Sequence, residues 1–206
     1  IPAIIQKGYT EEVTVIFNPN DGNGGMKGAT ECYAHTGLIT KDSKSDSDWK
    51  FVVDSWCGKL PKTEMTKDGT NWKLVIPNIY EYYGCPKNTD IKKLAFVFNN
   101  GISEGDASRR GKTADGGDIF VELAEPGLAV SITNALPEIS NLNDKLTLHC
   151  VATEAAALSL TVNGNEIAKG EGTELNVEYT LDAVGDFVFE FTATKDDEVK
   201  SISMQT

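Results

Sequence analysis

The feature that most constrains this chain is two-residue alternation. Leu146, Leu148, Cys150 and Ala152 stand at every second position with mostly polar neighbours. Leu158, Leu160 and Val162 repeat the pattern, as do Leu175, Val177 and Tyr179, and then Phe187, Phe189 and Phe191. Successive side chains of a strand point to opposite faces, so each run predicts a half-buried strand. Asn163-Gly164 lies between two such runs, and a type I′ hairpin turn favours this pair because both central residues need positive φ. Strands at this spacing from residue 126 onward predict an antiparallel, immunoglobulin-like sandwich. Cys150 lies where antibody domains carry a disulfide, but the facing run offers Phe189 and Phe191 and no cysteine, so Cys150 is expected to be a buried thiol.

The earlier part of the chain shows the same period. Val13, Val15 and Phe17 alternate, then Trp72, Leu74 and Ile76, then Leu94, Phe96 and Phe98, then Ile119, Val121 and Leu123. Six to eight strands in a second sandwich are predicted. Helical spacing is confined to Ile79, Tyr82 and Tyr83, which predicts one short helical turn. The two parts differ in character. Up to Glu125 there are 15 Lys and Arg against 18 Asp and Glu, and beyond it 4 against 13. All three Trp and five of the six Tyr fall in the first part. The join, AEPGLAV at 124–130, carries Pro-Gly punctuation. The expected fold is therefore all-β, two tandem antiparallel sandwiches, at residues 1–125 and 126–206.

Charge narrows the partners. A net charge of −12 repels nucleic-acid backbones and anionic membrane surfaces, leaving neutral or cationic ligands. No run reaches the roughly 18 apolar residues of a membrane helix, so direct membrane insertion is not expected. The start, IPAIIQKGY, lacks the basic-then-apolar order of a signal peptide and reads as a mature or trimmed product. Catalytic motifs are missing. The only histidines, His35 and His149, fall in separate parts, which makes a Ser-His-Asp or zinc site hard to assemble. NPNDGNGG at 18–25 resembles half a calcium loop but lacks the bidentate Glu, so a polar turn is favoured and no cofactor is expected, with structural calcium kept as the lesser reading. GISEGDASRRGKTADGG at 101–117 holds basic residues among glycines without GxxxxGK[ST], and reads as a long hairpin.

One stretch invites a ligand: CYAHTGLITKDSKSDSDWKFV at 32–52. Tyr33 and His35 share a strand face, and Cys32, Ala34 and Thr36 suit the core, which leaves Tyr33 and His35 outward. With Trp49 they would make angled rings suited to stacking on the C–H patch of a pyranose, with the imidazole or phenol adding a hydrogen bond. Asp46, Asp48, Lys44 and Lys50 flank the loop, and Trp56 and Tyr83 are reserve candidates. Alternatively Trp49, Phe51 and Val53 form the inward face of the next strand. Cysteine context adds an expectation. Cys57 and Cys85 sit in turn-like settings, WCGKLP and YGCPKN, which predicts a Cys57–Cys85 disulfide and an oxidising compartment; the alternative is four thiols.

VTVIFNPNDGNGG (13–25), CYAHTGLIT (32–40), SDWKFV (47–52), IYEYYG (79–84), KLAFVFNNG (93–101) and GGDIFVEL (116–123) together resemble a known class of module. They are similar to the amino-terminal β-sandwich modules that precede α-amylase-type catalytic domains in secreted or surface glycoside hydrolases of Bacteroides-like bacteria. The resemblance covers residues 9–125. It implies a starch-binding-type module whose contacts match Tyr33, His35 and Trp49. It also implies α-glucan or starch as partner, a catalytic domain following in the same chain, and a secreted, periplasmic or outer-membrane location. The GDF turn at 185–187 resembles the last corner of adhesin and polycystic-kidney-type modules. The expected role is a non-catalytic binding region, not an enzyme; the alternatives are a structural spacer or a tandem-sandwich adhesin.

Overall fold

The computed structural model describes residues 2–134, 136–137 and 139–206. The chain divides into two compact units, Ile1–Ala124 and Glu125–Thr206. Both are built of strands, and one five-residue α-helix is present among the described residues.

The first unit runs β1 (Ile5–Gln6), β2 (Val13–Phe17), β3 (Tyr33–Thr40), β4 (Thr66–Asp68), β5 (Asn71–Ile76), α1 (Ile79–Tyr83), β6 (Ile91–Asn99), β7 (Arg110–Gly111) and β8 (Ile119–Ala124). One sheet has the order β1-β8-β6-β3 with β7 attached to β6, and a smaller sheet has the order β2-β5-β4. Alternation decides the faces. Phe17, Trp72, Leu74 and Ile76 of the small sheet meet Leu38, Leu94, Phe96 and Phe98 of the large one in a single core. There the Phe17 and Phe98 rings stack at 4.0 Å. Burying such side chains contributes about 1.5 to 3 kcal/mol each. The helix falls where its spacing predicts. Asn78 caps it by accepting from the Glu81 N–H, and Gly84 closes it at φ 67°, the left-handed C′ position that favours glycine.

The second unit contains β9 (Val130–Ile132), β10 (Lys145–Val162), β11 (Asn165–Thr180), β12 (Val188–Lys195) and β13 (Glu198–Gln205). All five belong to one hydrogen-bonded sheet of order β11-β10-β12-β13 with β9 on β10, where the sequence spacing suggested two facing sheets. The runs 146–152 and 158–162 are one strand with an irregularity between Val151 and Ala156. β10 holds β9 at Cys150–Ala152 and β12 at Ala157–Val162, so one strand changes neighbours along its length. Its inward residues Leu148, Cys150 and Leu160, with Phe189 and Phe191, are fully buried. Asn163 and Gly164 have φ 48° and 80°, as the type I′ turn requires.

All four cysteines are thiols, so the expected Cys57–Cys85 bond is not formed. Cys85 follows the helix, its N–H donating to Tyr80 O at 3.0 Å, and its side chain joins the core. Cys57 belongs to another loop, with its Sγ 3.7 Å from Ile102 O. Turn-like context marked both positions correctly as loop residues but carried no information on which loops meet.

Candidate functional site

The candidate site is built on β3. Its outward face carries His35 and Gly37, opposite Val97 and Ala95 of β6. Beyond β3 the chain returns as an edge segment: Lys50 exchanges both backbone bonds with Leu38, at 2.7 and 2.8 Å, and Val53 N donates to Thr36 O at 3.0 Å. One residue, Gly37, lies between Thr36 and Leu38, whereas two, Phe51 and Val52, lie between Lys50 and Val53. The extra residue is a β-bulge, and its backbone strain lies at Phe51, which has φ 51°. A bulge residue in this left-handed conformation is usually glycine; a side chain there costs about 1 to 2 kcal/mol. The bulge brings both Trp49 and Val52 over Gly37. A Cβ at residue 37 would lie 3.1 Å from Lys50 O, 3.1 Å from Val52 Cγ2 and 3.4 Å from Trp49 Cβ. The glycine is the space into which Trp49 settles.

His35 stands between two indoles. Its ring lies 5.5 Å from that of Trp49, inclined 24°, and 5.0 Å from that of Trp56, inclined 85°. The two indole planes are therefore steeply inclined to each other. They border an open cleft of about 400 Å³ together with Ser47, Asp48, Val52, Lys112 and Asp118. Trp56 is 46% exposed, and Trp49 is half-buried with its Nε1 donating to Asp46 O at 2.9 Å. Arg110 covers one side of Trp56 at 4.9 Å from the ring centroid.

Charge around the cleft is paired. Lys112 meets Asp118 at 3.1 Å and Lys50 meets Asp48 at 2.8 Å. The Lys50 ammonium and the Lys44 N–H hold the Asp48 carboxyl below its ordinary range. Burial lowers the His35 pKa, against the opposing pull of Asp54, Asp118 and a bond to the Ser55 backbone. Nδ1 of His35 is buried without a partner. The imidazole backs the cradle between the two indoles, and its buried Nδ1 is not open to a ligand.

The basic wall is braced from below by the 18–25 turn. Asn23 N donates to Lys112 O at 3.1 Å, and Asn23 Oδ1 accepts from Lys112 N at 3.2 Å. Side chains are excluded where this turn approaches: a Cβ on Gly22 would stand 2.1 Å from Lys112 O, and one on Gly25 2.0 Å from Arg110 O. Asp21 accepts from Asn18 within the turn. Among the described residues no group of three or more His, Cys, Asp or Glu could hold a metal ion.

Of the residues expected at the site, His35, Trp49, Asp48 and Trp56 share the cleft, and Lys50 flanks it through Asp48. Tyr33 does not belong. It shares the face of His35 but is only 7% exposed. Lys59 lies over its ring at 5.2 Å, its hydroxyl donates to Glu31, and Lys59 closes on Glu31 at 2.8 Å. The expectation that Tyr33 offers an open ring is corrected by this cover. Tyr83 is buried too, its hydroxyl 2.7 Å from Thr36 Oγ1. The sequence reading missed Lys112 and Asp118 as cleft residues. Asp118 stands in the GGDIFVEL block just before β8, a position that could have suggested it. No protein-family model matches the chain, and no curated protein matches it.

Proposed function

We propose that the first unit is a non-catalytic carbohydrate-binding module that takes α-glucan chains at the His35, Trp49 and Trp56 cleft. The observation that carries the reading is the pair of indoles held at a steep angle on either side of His35, with paired carboxylates and ammonium groups along the same cleft. Angled rings follow a curved glucan better than a flat one, and the polar rim offers both donors and acceptors to sugar hydroxyls. The resemblance to starch-binding modules supports the same ligand. It also supports an α-amylase-type catalytic domain following in the same chain, and a secreted or surface location. The covered Tyr33 favours the competing spacer reading, because it removes one of the three rings on which sugar binding was expected to rest; Trp56 takes its place here.

Two stacked rings and a few exposed hydrogen bonds, less the ordering of a flexible sugar, leave about 4 to 6 kcal/mol, or a Kd from tens of micromolar to millimolar. Maltoheptaose should quench indole fluorescence and amylopectin should retard the chain in a native gel, whereas flat cellulose fragments should do neither. Trp49→Ala and Trp56→Ala should each remove most of the retardation without unfolding the unit. Retention unchanged in both variants, or no retention of the parent chain at millimolar sugar, would leave the spacer reading in possession.

A further inference from the structure

We infer a second contact for a pyranose ring centred on Phe51, apart from the Trp49 and Trp56 cleft; it takes its ligand class from the sugar-binding reading above. Phe51 is the strained residue of the edge bulge, at φ 51°, and its side chain remains 39% exposed. Backbone strain of this kind clusters at functional sites and ligand clamps, and here the strained residue carries an aromatic ring that reaches the surface. It borders a cleft of about 520 Å³ with Thr40, Lys41, Asp42, Asn88 and Thr89.

Lys50 and Asp90 also line this cleft, and both are engaged in ion pairs, Lys50 with Asp48 and Asp90 with Lys7 and Lys92. Its backbone is satisfied locally: Lys41 N donates to Asp90 O at 3.0 Å, Thr89 N to Pro86 O at 2.9 Å, and Asp42 N to Thr40 Oγ1 at 3.2 Å. Among the described residues, however, the side chains of Lys41, Asp42 and Asn88 enter no hydrogen bond or ion pair. They supply an ammonium donor, a carboxylate acceptor and an amide that does both, around one open aromatic face. A sugar ring matches that set, with C–H groups for the ring and hydroxyls that donate and accept for the rim. The bulge makes both contacts from one segment: it turns Trp49 and Val52 over Gly37 and leaves Phe51 to the other cleft.

The experiment is a titration of the full 206-residue chain with maltoheptaose, followed residue by residue in amide and side-chain NMR spectra. Two groups of shifts are expected, one at His35, Trp49, Trp56 and Asp118, the other at Asp42, Phe51 and Asn88. Phe51→Gly removes the ring and fits the positive φ, so relief of backbone strain offsets much of the lost packing and the unit should stay folded. It should weaken the second group of shifts at least tenfold and spare the first. The W49A/W56A double variant should do the converse. Shifts confined to the first group would overturn the Phe51 contact and leave the module reading standing; shifts confined to the second would do the reverse. Loss of both groups in Phe51→Gly would show that the ring only props the edge segment, and would also overturn the inference.

Discussion

Gly37→Val tests the steric logic of the cradle most directly. The side chain would grow from a Cβ already 3.1 Å from both Lys50 O and Val52 Cγ2, and 3.4 Å from Trp49 Cβ. Its two methyls then occupy the volume in which Trp49 rests, and the indole must swing away from His35. Overpacking of this kind costs about 1 to 3 kcal/mol. Replacing a glycine inside a strand returns roughly 0.5 to 1 kcal/mol, so the unit should lose at most about 2.5 kcal/mol and stay folded. Binding should suffer more visibly. Removing one stacked ring is worth about 1 to 3 kcal/mol, or roughly 5- to 150-fold in Kd for maltoheptaose. The assay pairs urea unfolding with fluorescence titration in the parent, G37V, W49A and the double variant. Because both changes act on the same ring, their effects should not add. Parent-like binding by G37V, or losses that sum in the double variant, would refute the idea that Gly37 works by seating Trp49.

His35 should titrate below the ordinary imidazole value in an NMR pH series, because burial disfavours its charged form. The unfolded chain then binds the proton more readily, so stability is full above about pH 6.5 and declines as pH falls through the folded pKa. His35→Gln should flatten that slope. Thiol counting in denaturant without reductant should return four groups, and two would restore the rejected disulfide. In the native chain Cys57 should be alkylated first, as read by mass spectrometry. Cys85 is enclosed in the core, and burial holds Cys32 at about 12 and Cys150 at about 11.

The parts of this molecule that could be read in advance obey a local period. Phe187, Phe189 and Phe191, or Leu146 through Ala152, announce a buried face by alternation alone, and Asn163-Gly164 announces its own turn. The shared face of Tyr33 and His35 was legible for the same reason. What happens above that face was not, because Tyr33 is covered by Lys59, far along the chain, and Trp56 arrives from the same distant loop. The bulge was equally silent. Its left-handed position holds Phe51 where a glycine would have advertised it, so the sequence shows an unbroken WKFVV run. Cys57 and Cys85 failed for want of the same knowledge, namely which loops lie together.

The long β10–β11 hairpin also bears on how the second unit comes to be assembled. Its two strands are joined by two residues, and β12 and β13 follow as an adjacent antiparallel pair. Closing a hairpin takes microseconds once its turn forms, and zipping outward from Asn163-Gly164 encloses little loop at each step. The first unit is wired differently: Ile5 pairs with Leu123, and Tyr33 with Asn99. Such pairings must close long loops before any contact rewards them, which slows folding across β proteins. The second unit is therefore expected to reach its native state while the sheet that carries His35 is still searching for its partners.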